Sequence, residues 1–266
     1  MHMADALISP AVGGTMWVVS AGLIAYAARK VKTEMDDARV PLMAVMAAFV
    51  FAAQMINFTI PGTGSSGHLG GALMLAILLG PSAGFLALAS VVTVQALFFA
   101  DGGLLALGCN IFNMGFWGCF VAYPLVYRPI AGANPTRGRI LAGAVLAAIV
   151  ALQLGPFGVV LQTLLSGITE LPFGTFVALM QPIHLAIGLV EGLVTAAVVI
   201  FVWQARPELF AAAGEAKALE LKPVIIGLAV AAVLVAGVLS WFASGNPDGL
   251  EWSMFKTSGH EELEAP

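Results

Sequence analysis

The 266 residues are 60% hydrophobic and only 10% charged, with a mean hydropathy of +0.96, whereas an ordinary soluble domain carries roughly 25% charged side chains. A soluble fold this poor in charge has too little polar surface to cover itself, so a soluble enzyme is excluded. A net charge of −4 with no basic tract excludes nucleic-acid binding. The composition is that of an all-α, polytopic integral membrane protein.

Residues 1–11 (MHMADALISPA) hold an acid and no positive n-region, so they are not read as a secretory signal. A second residue as bulky as His is expected to block removal of Met1 and leave its amine free. Apolar runs then follow at about 12–29, 41–59, 82–100, 103–127, 139–165, 176–204 and 223–243, each near the roughly 20 residues that a membrane helix needs. The stretch 71–80 (GALMLAILLG) is half that length and ends at Gly80-Pro81-Ser82.

Arg29, Lys30, Lys32 and Arg39 fall in one loop, Arg128, Arg137 and Arg139 in another, and Arg206, Lys217 and Lys222 in a third. The loops 60–70, 101–103 and 166–175 carry neither Lys nor Arg. The positive-inside rule makes the basic loops cytoplasmic, which is consistent only if 71–80 also crosses. Eight spans result, with both termini extracytoplasmic. Cys109 and Cys119 lie inside apolar sequence and say nothing of redox compartment.

This topology places residues 1–11 and the loop 61–70 (PGTGSSGHLG) on the same outer face, each with one histidine, His2 and His68. The Met1 amine, the His2 amide nitrogen and the His2 imidazole can close a five- and then a six-membered chelate ring on one ion. His68 is suited to the fourth position of the plane. Square-planar nitrogen ligation selects Ni(II) or Cu(II). A short helix after His68 would disfavour its protonated form. The loop also has the spacing Gly62-x-x-x-x-Gly67, but His68 and Leu69 stand where a phosphate loop needs Lys and Ser/Thr, so that reading is rejected.

The opening MHMADALISP, the loop GTGSSGHLGG and the run VQALFFADGGLLALGCNIFNMG together resemble the CbiM/NikM family. These are the substrate-binding membrane components of cobalt and nickel energy-coupling-factor (ECF) transporters. The resemblance covers about residues 1–205 and implies a seven-helix core whose N-terminal segment tucks into the bundle. It implies Ni2+ or Co2+ held by Met1, His2 and His68. It implies a transmembrane coupling subunit and two cytoplasmic ATPase subunits as partners in the cell membrane, with no cofactor and no catalysis in this chain. A linker at 206–222 and a further span at 223–243 follow, and 223–266 ends in NPDGLEWS at 246–253. That ending resembles the small accessory component of the same systems, lacking its usual second membrane helix.

Gln95, Asn110 and Asn113 lie in the family-like run and are expected to orient the N-terminal segment. His184 and Glu191 are seven residues apart on one span. A carboxylate at that depth is costly and has to face protein or water. The pair has two readings, a proton relay or second metal stop against a polar contact that fixes packing, and the relay would suit a stand-alone proton-coupled metal transporter. Asp101, before Gly102-Gly103, reads as a turn residue. Met43, Met46 and Met55 read as gap-filling apolar side chains. Small-residue surfaces on 12–29 and 139–151 are candidate partner faces. No H-E-x-x-H set is present, so a metalloenzyme is disfavoured.

Overall fold

The structure, a computed structural model, describes residues 2–169, 171–206 and 221–259. Helix α1 (Pro10–Glu34) starts where the Ser9 hydroxyl accepts from the Val12 N–H and Pro10, lacking an N–H, takes the first turn. Helices α1, α4 (Pro81–Phe99), α5 (Leu107–Ala131), α6 (Arg137–Ser166) and α7 (Phe173–Ala205) are long and apolar enough to cross a membrane. Two others are shorter, α2 (Val40–Gln54, 15 residues) and α8 (Lys222–Gly237, 16 residues). At 1.5 Å per residue they reach about 23 Å, short of a hydrocarbon core of about 30 Å. By length five helices are long enough to span, and the expected eight crossings require the shorter helices to cross as well.

The expected span 41–59 stops as a helix at Gln54. Phe58–Ile60 (β1) instead pairs antiparallel with Ser65–Gly67 (β2), Phe58 opposite Gly67 and Ile60 opposite Ser65. A hairpin thus interrupts the all-α reading. Its turn is built on Gly62 and Gly64, both in the left-handed region. The half-length stretch becomes α3 (Ala72–Leu79), in which every residue is buried. Gly80-Pro81 then breaks the chain into α4. Protein surrounds this segment: α4 approaches so closely that a Cβ on Gly84 would lie 2.7 Å from the Ala76 nitrogen.

Helices α6 and α7 make the most extensive helix pairing among the described residues, with small residues letting the backbones meet. A Cβ on Gly188 would come within 3.0 Å of the Ile149 Cα, and Ala144, Ala147 and Ala148 are buried. The small residues at 139–151 are thus used inside the molecule, which corrects their reading as a partner face. Helix α1 differs, leaving Trp17, Val18, Val19 and Tyr26 exposed. Within α5, Phe112–Tyr127 winds as a wide π-helix around Pro124.

The linker 206–222 falls almost wholly outside the described residues, as does His260. Beyond α8 the chain turns back, and the expected PDGLE tail folds into α9 (Gly249–Ser258). Asp248 and Glu251 form a reciprocal capping box at its start. Leu250 and Met254 are buried, and α9 packs on α7.

Candidate metal centre

Residues 2–8 run inward and are clasped by α5 and the turn before it. Asn110 pairs with Met3 as another peptide would: the Met3 N–H donates to Asn110 Oδ1 (2.8 Å), and Asn110 Nδ2 donates to the Met3 carbonyl (3.2 Å). The Gly103 N–H donates to the same carbonyl at 2.9 Å, and Asp5 Oδ1 accepts from the Ala106 N–H at 3.0 Å. Asn113 donates to Met3 Sδ (3.8 Å) and exchanges hydrogen bonds with Gln162. Met3, Leu7 and Ile8 are fully buried. Gly102 and Gly103 permit this approach, since a Cβ on Gly103 would overlap Asp5 and one on Gly102 would sit 3.2 Å from the His2 Cβ.

The second segment is the hairpin and the turn after it. Glu191 on α7 accepts from the Gly70 N–H (2.6 Å) and the Gly71 N–H (3.0 Å). Gln54 on α2 donates to the Gly70 carbonyl at 2.6 Å. The glycines have steric work: a Cβ on Gly70 would meet Glu191 Oε2 at 3.0 Å, one on Gly67 would collide with Ile187, and Gly71 is left-handed at φ +78°. The glycine-rich loop is therefore fitted to α7.

These two segments bring His2 and His68 side by side, with ring centroids 5.2 Å apart and planes inclined by 20°. His68 Nδ1–H donates to the Leu69 carbonyl (3.0 Å). This selects the tautomer whose Nε2 lone pair faces Asp248 Oδ2, 3.9 Å away. A backbone carbonyl holding the other ring nitrogen is the usual arrangement behind a metal-binding histidine. His2 Nε2 lies 3.1 Å from Gln95 Oε1, and its Nδ1 lies 3.1 Å from Asp101 Oδ1. A neutral ring can donate to only one of the two. If Gln95 takes the proton, Nδ1 keeps its lone pair, and Nδ1 is the nitrogen that closes the six-membered chelate ring.

Burial holds both imidazoles far below their ordinary range, to about 3, so both are neutral at physiological pH and able to ligate. Burial alone would raise the Asp248 carboxyl, but nearby positive charge and the N–H groups it accepts at the α9 N-terminus outweigh it and hold the group below the usual carboxylate range. An open crevice of about 460 Å³ reaches His2 and is lined by Asp5, Asp101, Asp248 and Glu251. Such a crevice favours approach of a cation.

The structure thus brings together His2, His68, Gln95, Asn110 and Asn113, while Met1 lies outside the described residues. No group of three or more His, Cys, Asp or Glu side chains forms a metal cage among the described residues. Glu191 holds the loop that carries His68. His184 donates from Nδ1 to the Met180 carbonyl at 2.8 Å, and its Nε2 has no partner among the described residues. Between His68, His184 and Glu191 lies a cavity of about 20 Å³, room for about one water. Sequence reasoning missed Asp101 and Asp248, both of which reach a histidine ring.

The model of the cobalt-uptake substrate-specific transmembrane region matches residues 2–209, and the PDGLE domain model matches 222–266. A metal transport protein of Haloquadratum walsbyi is 39% identical over 79% of this chain and 93% of its own length. The fused nickel transport protein NikMN of Rhodobacter capsulatus is 32% identical over 95% of this chain and 75% of its own. A crystal structure of a truncated transition metal transporter superposes with a TM-score of 0.68 at 30% identity, covering 77% of this chain and 99% of that one.

Proposed function

This chain belongs to the family of the cobalt-uptake substrate-specific transmembrane region, and from that membership we propose that it captures Ni2+ or Co2+ from outside the cell as the substrate-binding subunit of an ATP-driven ECF-type transporter. It is a multi-pass membrane protein of a cobalt and nickel transport family. The ligands in this reading are the Met1 amine, the amide nitrogen and Nδ1 of His2, and Nε2 of His68. The observation that carries it is the pairing of two buried imidazoles from segments 66 residues apart in sequence, each with one ring nitrogen beside a carbonyl oxygen. Planar nitrogen ligation favours nickel over cobalt. In this reading Gln95, Asn110 and Asn113 position the N-terminal segment, and Glu191 positions the loop. With the shorter helices also crossing, both termini are extracytoplasmic in this reading. Energy comes from partner chains, a transmembrane coupling subunit and two cytoplasmic ATPase subunits, with a small accessory membrane component as a further partner.

The alternative, a proton-coupled carrier using His184 and Glu191, fits the geometry less well. Both Glu191 oxygens accept backbone N–H groups, and the His184 proton is held by a carbonyl of its own helix. The test is reconstitution in vesicles with radioactive nickel. The chain alone is expected to equilibrate the metal without concentrating it. With the coupling subunit and ATPases, accumulation should require ATP and survive an uncoupler. Accumulation by the chain alone under a pH gradient, abolished by Glu191→Gln, would overturn the proposal.

A further inference from the structure

The C-terminal element closes over the metal centre. Ser66 on β2 donates its N–H to the Pro247 carbonyl (2.8 Å) and its hydroxyl to the Asn246 carbonyl (2.8 Å). The Ser244 N–H donates to the Asn57 carbonyl (2.7 Å), and Trp252 Nε1 donates to the Thr63 carbonyl (3.1 Å). Gly249 permits this seating, because a Cβ there would meet Ile183 at 2.7 Å and His184 at 3.0 Å. The turn so held delivers Asp248. Its Oδ1 is occupied by the Leu250 and Glu251 N–H groups (2.8 and 3.0 Å), while Oδ2 is turned to His68 Nε2, with only 14% of the side chain exposed.

A divalent ion bound through one deprotonated amide and otherwise neutral nitrogens keeps one positive charge. A buried charge is tolerated only when paired. Asp101, on the His2 side, is 34% exposed, and water screens it more. We propose that Asp248, supplied by the C-terminal PDGLE element, is the buried counter-charge of the loaded metal centre and closes it from outside, so that this element is a working part of the site. This rests on the metal-binding reading above. It assigns Asp248 as a positioning residue that slows release of the ion.

The experiment titrates Ni2+ into the full chain and its Asp248→Asn variant and follows release to an excess chelator. Asn caps a helix as well as Asp does, so the variant keeps the α9 start and loses only the charge. We expect its affinity to fall about 10- to 100-fold, the usual effect of removing a group behind a metal ligand, mostly through faster release and with an unchanged melting temperature. Asp248→Ala should add a loss of thermal stability through the missing cap. Nickel lost in the His2→Ala and His68→Ala variants but held unchanged by Asp248→Asn would overturn this inference alone, leaving Asp248 as a helix cap. Nickel bound equally well without either histidine would overturn the metal-site reading and this inference with it.

Discussion

Glu191→Gln isolates the link between a membrane helix and the histidine loop. Glu191 receives two backbone N–H groups, from Gly70 and Gly71, in a fully enclosed setting. Gln keeps one acceptor but turns an NH2 group towards the other N–H. One hydrogen bond to a charged group, about 1.5–3 kcal/mol, is then lost, and a buried donor goes unsatisfied. Some of this is absorbed by restraints that remain, the Gln54 bond to the Gly70 carbonyl and the hairpin pairing. About 1.5–2 kcal/mol is left to be met from the binding energy whenever the loop orders around an ion. Since 1.4 kcal/mol is tenfold, Ni2+ affinity should fall by about 10- to 30-fold. Calorimetric titration of the purified protein measures this, and hydrogen exchange at residues 65–71 should quicken in parallel. Unchanged affinity together with unchanged exchange would refute the positioning role.

Three further outcomes are expected. His2→Ala should abolish binding because it removes the centre of the chelate, whereas His68→Ala should leave a weaker three-nitrogen site, both measured by equilibrium dialysis. The apo protein should lose stability in acid. Burial keeps both imidazoles neutral down to about 3, while in the unfolded chain each protonates near about 6.5. The unfolded chain therefore binds more protons below that pH, so stability is level above it and falls beneath it, by about 1.4 kcal/mol per ring at pH 5.5; melting curves at pH 8 and 5.5 check the sign. Finally, Gly103→Ala, whose Cβ would overlap Asp5, should displace the N-terminal segment and abolish binding. Gly62→Ala, left-handed but in open space, should cost about 1 kcal/mol and leave binding intact, as titration and melting of the two variants would show.

Much of the centre was legible in the sequence because its chemistry is local. A histidine at position 2 has its chelate written in consecutive atoms, and loop charges put His68 on the same face. Gln95 and Asn110 were singled out by their place in a motif, and they hydrogen-bond His2 and the Met3 N–H. Asp101 did not show itself because Asp-Gly-Gly is complete as turn chemistry, while its partner lies 99 residues away. Asp248 was masked in the same way by its capping role. Glu191 and His184 looked like a pair from their spacing, but seven residues of helix rise about 10.5 Å, too far for contact. The hairpin at 58–67 was hidden by an apolar run that continues past the helix end at Gln54. In such a run period cannot separate helix from strand.

In the proposed centre, nitrogen atoms of the N-terminal segment and His68 hold the transported ion. X-ray absorption of the nickel-loaded protein, taken with the Met1 amine free and again with it acetylated, tests this most directly. About four nitrogen neighbours in a planar set are expected with the amine free, and loss of that signature, with loss of the bound nickel, once it is acetylated. Six oxygen neighbours, or a planar site that survives acetylation, would contradict it.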